Sequence, residues 1–170
     1  QWARSLGVTV IGTVGNDNKV PVAQRLGCHH VLVSSRENIA TRVREITDGK
    51  GVPVAYDSVG RDTFMATLDS LSPLGLFVSF GNASGPVPPV DPQLLSQKGS
   101  LFFTRPTLAH YVSTPEELDA GAGELFDLIA RGVIRKNEPK RFLLSQAAEA
   151  HRALESRQTT GSLVLIPDAI

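Results

Sequence analysis

A glycine, an asparagine and a lysine follow the first apolar strand of the sequence at a spacing suited to holding a phosphate. A nearly continuous apolar run predicts a buried strand over residues 8–14. Gly15 and Asn16 come directly after it, and Lys19 lies about one helical turn further on. Ligands of open parallel sheets bind at the carboxyl ends of the strands. Because Gly15 lets a phosphate approach the backbone and Lys19 supplies a positive charge, this combination favours the 2′-phosphate of NADPH.

Lys19 and a further candidate, Ser34, also have a simpler interpretation. Lys19 is equally explained as a solvated helix residue, and Asp17 places a negative charge beside it. Ser34 follows the predicted strand Val31–Val33 and either binds the 2′-phosphate through its hydroxyl or caps the next helix. The spacing of Ser34 and Glu37 is that of a capping box, which favours the cap, although different atoms of Ser34 can serve both roles.

Two later strands also end in polar residues. Ser58 follows the predicted strand 52–57. The polar, glycine-bounded loop Phe80-Gly81-Asn82-Ala83-Ser84-Gly85 lies at the end of the predicted strand 76–80. The backbone groups of this loop are suited to a nicotinamide carboxamide. The alternative is an ordinary loop.

The sequence offers no metal site and no nucleophile motif. Cys28-His29-His30 are adjacent, so they cannot all point at one ion, and no second ligand cluster appears. Cys28 is expected to be a small core residue. Neither a Gly-x-Ser-x-Gly turn nor a cysteine paired with a base is present, and no catalytic residue is assigned.

Strand and helix patterns alternate along the first part of the chain, which predicts an α/β fold with a parallel sheet covered on its faces. The pattern changes after Arg105-Pro106. Thr114-Pro115-Glu116-Glu117 predicts a strong helix start, and Ser145 is expected to cap a later helix that precedes a last strand, 162–166. The tail therefore forms a different unit from the sheet before it.

The charge, apolar runs and cysteine count of the sequence argue against several classes of function. Lys and Arg number 17, as do Asp and Glu, so the net charge is zero, which gives no support for a nucleic-acid or membrane-surface role. No apolar run approaches the roughly 20 residues that span a bilayer, and we expect no signal peptide. The single cysteine excludes an internal disulfide framework and fits a reducing, cytoplasmic environment.

The start of the sequence departs from the usual strand–helix–strand order. Such a chain normally begins one strand earlier, with a glycine-rich turn that holds a pyrophosphate. We expect that strand and turn to be absent and the chain to be the later part of a larger protein. Because the missing strand would be central, two buried strands would each keep an unpaired edge. We therefore expect residues 1–170 alone to be inactive.

Several stretches together resemble one family, the zeta-crystallin-like, zinc-independent NADPH:quinone oxidoreductases of the medium-chain dehydrogenase/reductase superfamily. The resemblance covers essentially the whole chain in order. It rests on Gln1-Trp2-Ala3, Ile11-Gly12-Thr13-Val14-Gly15 with Lys19, Tyr56-Asp57-Ser58-Val59-Gly60, Val78-Ser79-Phe80-Gly81-Asn82, Gln97-Lys98-Gly99-Ser100-Leu101, Thr104-Arg105-Pro106 and Leu154-Glu155-Ser156-Arg157.

The resemblance implies a domain division and a set of cofactor contacts. Residues 1–105 would form a doubly wound Rossmann lobe lacking its first strand, and residues 106–170 a tail that returns to the catalytic lobe. The implied NADPH contacts are Gly15, Asn16, Lys19, Phe80, Gly81, Asn82, Ala83, Phe103, Thr104 and Arg157. The sequence departs from the family at Ser34, where bacterial relatives often have a tyrosine.

The implied activity is hydride transfer from NADPH to a quinone or enone, in a homodimer that pairs through the edge strand Leu101–Phe103. An alkenal or enoyl reductase of the same superfamily is the alternative enzyme. Two alternatives come from other classes of protein. One is a crystallin-like protein that binds NADPH or RNA, and the other is a chain that offers only a dimerisation surface.

Overall fold

The computed structural model describes residues 1–156 and 159–168. The strands are β1 (Ile11–Val14), β2 (His30–Val33), β3 (Val52–Asp57), β4 (Leu71–Ser79), β5 (Phe102–Thr104), β6 (Lys140–Leu143) and β7 (Leu163–Ile166). The helices are α1 (Trp2–Ser5), α2 (Val20–Arg25), α3 (Ile39–Ile46), α4 (Phe64–Ser70), α5 (Pro92–Gln97), α6 (Pro115–Ala130) and α7 (Ala147–Glu155). Single 3-10 turns lie at Asp17–Lys19, Leu108–His110 and Leu144–Gln146.

Every strand pairing among the described residues is parallel. The strands form a β1–β2 pair, a three-stranded sheet in the order β3–β4–β5, and a β6–β7 pair. The predicted α/β class with parallel strands is confirmed. Within these sheets β1 and β3 each have one hydrogen-bonded neighbour. The β3 side chains Val54 and Tyr56 are 40% and 75% exposed, unlike those of a covered central strand.

The first predicted strand is shorter than its apolar run. It begins at Ile11 rather than at residue 8 because Val10 bonds to the turn that precedes β2. The Val10 amide donates to Nδ1 of His29 at 3.0 Å, and the Val10 carbonyl accepts from the His29 amide at 2.8 Å. The Val10 carbonyl also accepts from the His30 amide at 3.2 Å, so Val10 contacts both this turn and the first residue of β2.

The strand predicted over 76–80 extends further toward the N-terminus. β4 begins at Leu71, which pairs with Val52, whereas Leu76 pairs with Val54. The residues between them bulge out of the ladder, with Leu74 at a φ of 60° and Gly75 tight against Leu71. The chain thus turns at Pro73-Leu74-Gly75 as an irregularity within one strand.

The core lies around the three-stranded sheet. Its buried cluster is Phe64, Leu68, Leu71, Phe77 and Leu101. Phe77 stacks on Phe64 with ring centroids 5.8 Å apart, and Phe103 meets Phe77 edge-on at 5.2 Å. These aromatic contacts pack helix α4 and strand β5 against strand β4.

The tail contributes little to this core. Among the described residues after 105, Ala150 is the one buried apolar residue, and Leu118 and Phe126 of α6 are 51% and 65% exposed. The predicted capping box of α6 is confirmed, since Thr114 accepts from the Glu117 amide and Glu117 accepts from the Thr114 amide. The predicted cap at Ser145 is wrong because its hydroxyl donates to Asp168 at 2.6 Å instead.

Candidate functional site

The ends of β1 and β2 lie side by side and bring three predicted residues together. Val14 pairs with Val33, so Gly15 and Asn16 leave the sheet beside Ser34. The Ser34 amide donates to the Val14 carbonyl at 2.9 Å, and its hydroxyl donates to the same oxygen at 3.2 Å. A Cβ built on Gly15 meets nothing within 4 Å, so the backbone there is open to a ligand.

The structure assigns the helix cap to a residue other than Ser34. Helix α3 begins at Ile39, and Asn38 Oδ1 accepts from the Thr41 amide at 3.0 Å. Glu37 does reach back, but its Oε1 accepts from the Val33 amide at 2.7 Å. The predicted Ser34 cap is wrong, since Ser34 lies in the turn before the helix. Its 2′-phosphate contact stays a prediction.

Lys19 is half-buried and lines a cavity of about 460 Å³ together with Asn16, Asn18 and Thr160. Thr160 comes from the tail, so the cavity joins the end of β1 to the segment before β7. The predicted contact at Arg157 lies outside the described residues. Thr160 carried no signal in the sequence, because its place beside Lys19 depends on a contact between distant segments.

An ion pair that the sequence did not indicate also lies at this edge. Arg36 donates to Oδ1 of Asp17 from Nε at 3.2 Å and from Nη2 at 2.8 Å. This hydrogen bond lowers the pKa of Asp17, and the positive charge of Arg36 acts in the same direction. The charge of Asp17, which counted against a phosphate site, therefore has a cation directly beside it.

The end of β3 is organised around the buried carboxylate of Asp57. Oδ1 accepts from the amides of Val59 at 2.7 Å and Gly60 at 3.0 Å. Oδ2 accepts from the hydroxyls of Thr63 at 2.6 Å and Thr67 at 2.8 Å. Burial raises the pKa of Asp57, but these four hydrogen bonds outweigh it, and the net pKa is lowered.

The turn held by Asp57 carries the loop that follows β4. The Ala83 amide donates to the Ser58 carbonyl at 3.2 Å, and the Ser84 amide donates to the Val59 carbonyl at 2.8 Å. The structure thus brings Ser58, Phe80, Gly81, Asn82 and Ala83 together, as the sequence predicts for neighbouring strand ends. Phe80 is 52% exposed at the start of this loop.

The two predicted contacts on β5 differ in their surroundings. Thr104 pairs with Val78 near the end of β4, and the next residue, Arg105, donates to the Ser79 carbonyl at 2.8 Å. The ring of Phe103 instead packs on Phe64 and Phe77. Contacts of Phe103 and Thr104 with a cofactor stay predictions.

Cys28 packs against a strand and belongs to no metal cluster. Its sulfur lies so near β1 that a Cβ on Gly12 would stand 2.5 Å from it. Burial raises the pKa of the Cys28 thiol. Across residues 1–156 and 159–168, no group of three or more His, Cys, Asp or Glu side chains is arranged to hold a metal ion.

Parallel strands with polar loops gathered at their carboxyl ends define an α/β protein of the class that binds ligands at that edge. Residues 1–122 match the model of the zinc-binding dehydrogenases, and the chain belongs to that family. In the described part of the chain no helix is both long and apolar enough to span a membrane.

Several relatives resemble the chain along nearly all of its length. A quinone oxidoreductase of Pseudomonas aeruginosa is 56% identical over 167 residues, which are 98% of this chain and 51% of that protein. A 2-haloacrylate reductase of a Burkholderia species is 48% identical over 99% of this chain and 51% of its own length. The crystal structure of an Escherichia coli quinone oxidoreductase complexed with NADPH superposes with a TM-score of 0.93 at 49% identity, over 98% of this chain and 52% of that one. The chain spans about half the length of these relatives.

Proposed function

We propose that the complete protein is an NADPH-dependent quinone reductase and that this chain supplies most of its cofactor-binding groups. The observation that carries the proposal is the cluster of Gly15, Asn16, Lys19 and Ser34 where β1 and β2 end. Support comes from the 56% identity to a quinone oxidoreductase and from the likeness to a structure that contains NADPH.

The residues at this edge fit the adenosine end of NADPH. Gly15 faces open space, so a phosphate can reach its backbone, and Lys19 lines a cavity large enough for a ribose phosphate. We propose that Lys19 binds the 2′-phosphate with Asn16 and the Ser34 hydroxyl, and that Arg157 adds a second cation. A phosphate dianion is stabilised by such charge-assisted hydrogen bonds.

The loop after β4 fits the nicotinamide end. We propose that Phe80, Gly81, Asn82 and Ala83 offer backbone groups to the carboxamide, with Ser58 below them and Phe103 and Thr104 alongside. The turn under this loop is fixed by four hydrogen bonds to Asp57. A loop held in this way orients its ligand with little ordering at the moment of binding.

The bound nicotinamide supplies the hydride, and the chain's part is to bind, orient and exclude water. No residue of this chain is assigned as a general acid or base. The chain spans about half the length of its relatives. We propose that quinone specificity depends largely on the rest of the complete protein.

The proposal is tested by steady-state reduction of a benzoquinone by the complete protein, with NADPH or NADH as the donor. We expect turnover with both and a much lower KM for NADPH. Lys19→Ala is expected to raise the KM for NADPH and to leave kcat nearly unchanged, because Lys19 lies away from the reacting carbon. Absence of quinone turnover with either donor would overturn the proposal.

Reduction of an activated carbon–carbon double bond is the second candidate activity. It is favoured by the 48% identity to a 2-haloacrylate reductase. A panel that sets quinones against 2-haloacrylates and alkenals, with NADPH at saturation, separates the two. The substrate with the largest kcat/KM decides between them.

We also propose that residues 1–105 belong to the nucleotide-binding lobe and residues 106–170 to the catalytic lobe. Leu118, Leu125 and Phe126 of α6 are 51%, 38% and 65% exposed although their spacing is that of a packed helix face, which supports a cover from another part of the protein. The open edges of β1 and β3 suit a strand placed between them, which would join the two sheets. Limited proteolysis of the complete protein, with cleavage expected near residues 105–113, tests the division.

A homodimer through β5 is proposed from the place of that strand at the sheet edge and from Phe102, which is 61% exposed. Sedimentation analysis of the complete protein and of Phe102→Lys is the test. We expect a dimer for the parent protein and a weaker dimer for the variant.

A cytoplasmic location is proposed because a single thiol suits a reducing compartment. The balanced charge of the chain supports a small-molecule substrate over a nucleic acid or a membrane surface. Fractionation of cells that express the tagged complete protein tests the location.

A further inference from the structure

Arg36 stands at the edge proposed to bind the cofactor, yet nothing in the proposed function uses it. It follows Ser34 by two residues, and its partner Asp17 follows Gly15 by two. Because β1 and β2 are paired up to Val14 and Val33, the Asp17–Arg36 contact crosses directly between the two strand ends.

The ion pair between Asp17 and Arg36 contributes little to the stability of the fold. The two side chains are 67% and 58% exposed, and a solvated pair of this kind adds little stability. Two nitrogens of Arg36 converge on one oxygen of Asp17, at 3.2 and 2.8 Å, while Nη1 lies 3.8 Å from Glu37. The guanidinium thus contacts the Asp17 carboxylate at the surface, beside the strand ends that Gly15 and Ser34 follow.

The chemistry of the two side chains points to cofactor selection. A carboxylate after this strand accepts a hydrogen bond from the free ribose hydroxyls of NADH and repels a 2′-phosphate, whereas a nearby arginine accommodates the phosphate. An arginine fork also binds phosphate more specifically than an ammonium does.

Building on the proposed NADPH site, we propose that Arg36 is a second residue, beside Lys19, that sets the preference for NADPH over NADH. It compensates the charge of Asp17 and donates a hydrogen bond to the 2′-phosphate. Lys19 attracts the phosphate in either case, and Asp17 without Arg36 would favour NADH.

The test measures dissociation constants of NADPH and NADH for the complete protein by calorimetry. In Arg36→Ala, we expect NADPH affinity to fall about tenfold or more, the equivalent of one charge-assisted hydrogen bond, with NADH affinity unchanged or higher. Adding Asp17→Asn to that variant is expected to restore part of the NADPH affinity, since the repulsion is gone. Arg36→Lys is expected to lie between the parent and Arg36→Ala.

The matched control is Arg131→Ala, which removes another exposed arginine, 66% exposed and 3.1 Å from its partner Asp127. It is expected to change neither constant. Equal loss of NADPH and NADH affinity in Arg36→Ala, or no loss at all, would overturn the role of Arg36.

Different experimental results would contradict the role of Arg36 and the proposed function. A parent protein that binds NADPH in a Lys19-dependent manner, with Arg36→Ala indistinguishable from it, contradicts the role of Arg36 alone. A parent protein that binds neither nucleotide contradicts the proposed function, and the role of Arg36 with it.

Discussion

Gly81 and Ser58 touch through their backbones, and a Cβ on Gly81 would stand 2.7 Å from the Cα of Ser58. The loop after β4 therefore rests directly on the turn after β3. Gly60 makes the reciprocal approach to the backbone of Gly85. Gly60 in the turn and Gly81 in the loop thus allow the two backbones to approach closely. A side chain at either position would push the two segments apart.

Gly81→Ala is expected to destabilise the protein and to weaken cofactor binding, because the new methyl group meets backbone that cannot rotate away. The overpacking cost is about 1–3 kcal/mol. Urea denaturation and the dissociation constant of NADPH measure both effects. Gly123→Ala is the control, since a Cβ there meets nothing within 4 Å and the helix gains about 0.5–1 kcal/mol from the change. Equal stabilities for the Gly81 variant and the parent would contradict the close contact.

Asp57→Ala is expected to be strongly destabilising, because it removes the acceptor of the Val59 and Gly60 amides and of the Thr67 hydroxyl, while the Thr63 hydroxyl keeps the Gly60 carbonyl at 3.2 Å. An unsatisfied buried donor costs about 1–3 kcal/mol. The Gly60 amide is buried and the other donors are partly buried, so water that enters the site reduces their cost. The free energy of unfolding in urea is the measurement. Asp127→Ala, at an exposed ion pair, should change it by no more than about 0.5 kcal/mol. Similar losses for the two variants would rule out a supporting role for the Asp57 network.

The lowered pKa of Asp57 predicts a pH dependence of stability. Its contribution is fully present above the ordinary aspartate pKa of 3.8 and is lost as the pH falls through the lower pKa of the folded state. Stability measured from pH 7 downward should therefore fall more steeply below about pH 4 in the parent protein than in Asp57→Asn. Parallel curves for the two proteins would show that Asp57 is not the group responsible.

The contact between Gly12 and Cys28 predicts a coupled pair of substitutions. Gly12→Ala brings a methyl group against the Cys28 sulfur and should be destabilising, whereas Cys28→Ala removes that sulfur. In the double variant we expect the loss to be smaller than the sum of the single losses by about 1 kcal/mol. Thermal or urea unfolding of the four proteins gives the coupling. Strict additivity would mean that the two residues are not in contact.

The elements that the sequence predicts well are those set by local chemistry. The strand Val52–Asp57 and the box of Thr114 and Glu117 follow from patterns within a few residues. The Ser34 cap failed on a local ambiguity, because Ser34 and Asn38 both precede the helix and only Asn38 lies next to its first turn.

Distant contacts account for what the sequence could not predict. Arg36 meets Asp17 from 19 residues away, Ser145 meets Asp168 from 23, and Thr160 lies across a cavity from Lys19. Each contact depends on how separate segments pack, and no spacing in the sequence encodes it. The strand ends were predictable as a set because all parallel strands end at one edge.

Calorimetric titration of the complete protein with NADPH and NADH, beside Lys19→Ala, tests the central claim most directly. We predict tighter binding of NADPH than of NADH, and a loss of NADPH affinity in the variant that leaves NADH affinity nearly unchanged. Equal affinities for the two nucleotides in the parent protein, or a variant that binds NADPH as the parent does, would contradict a 2′-phosphate site at the ends of β1 and β2.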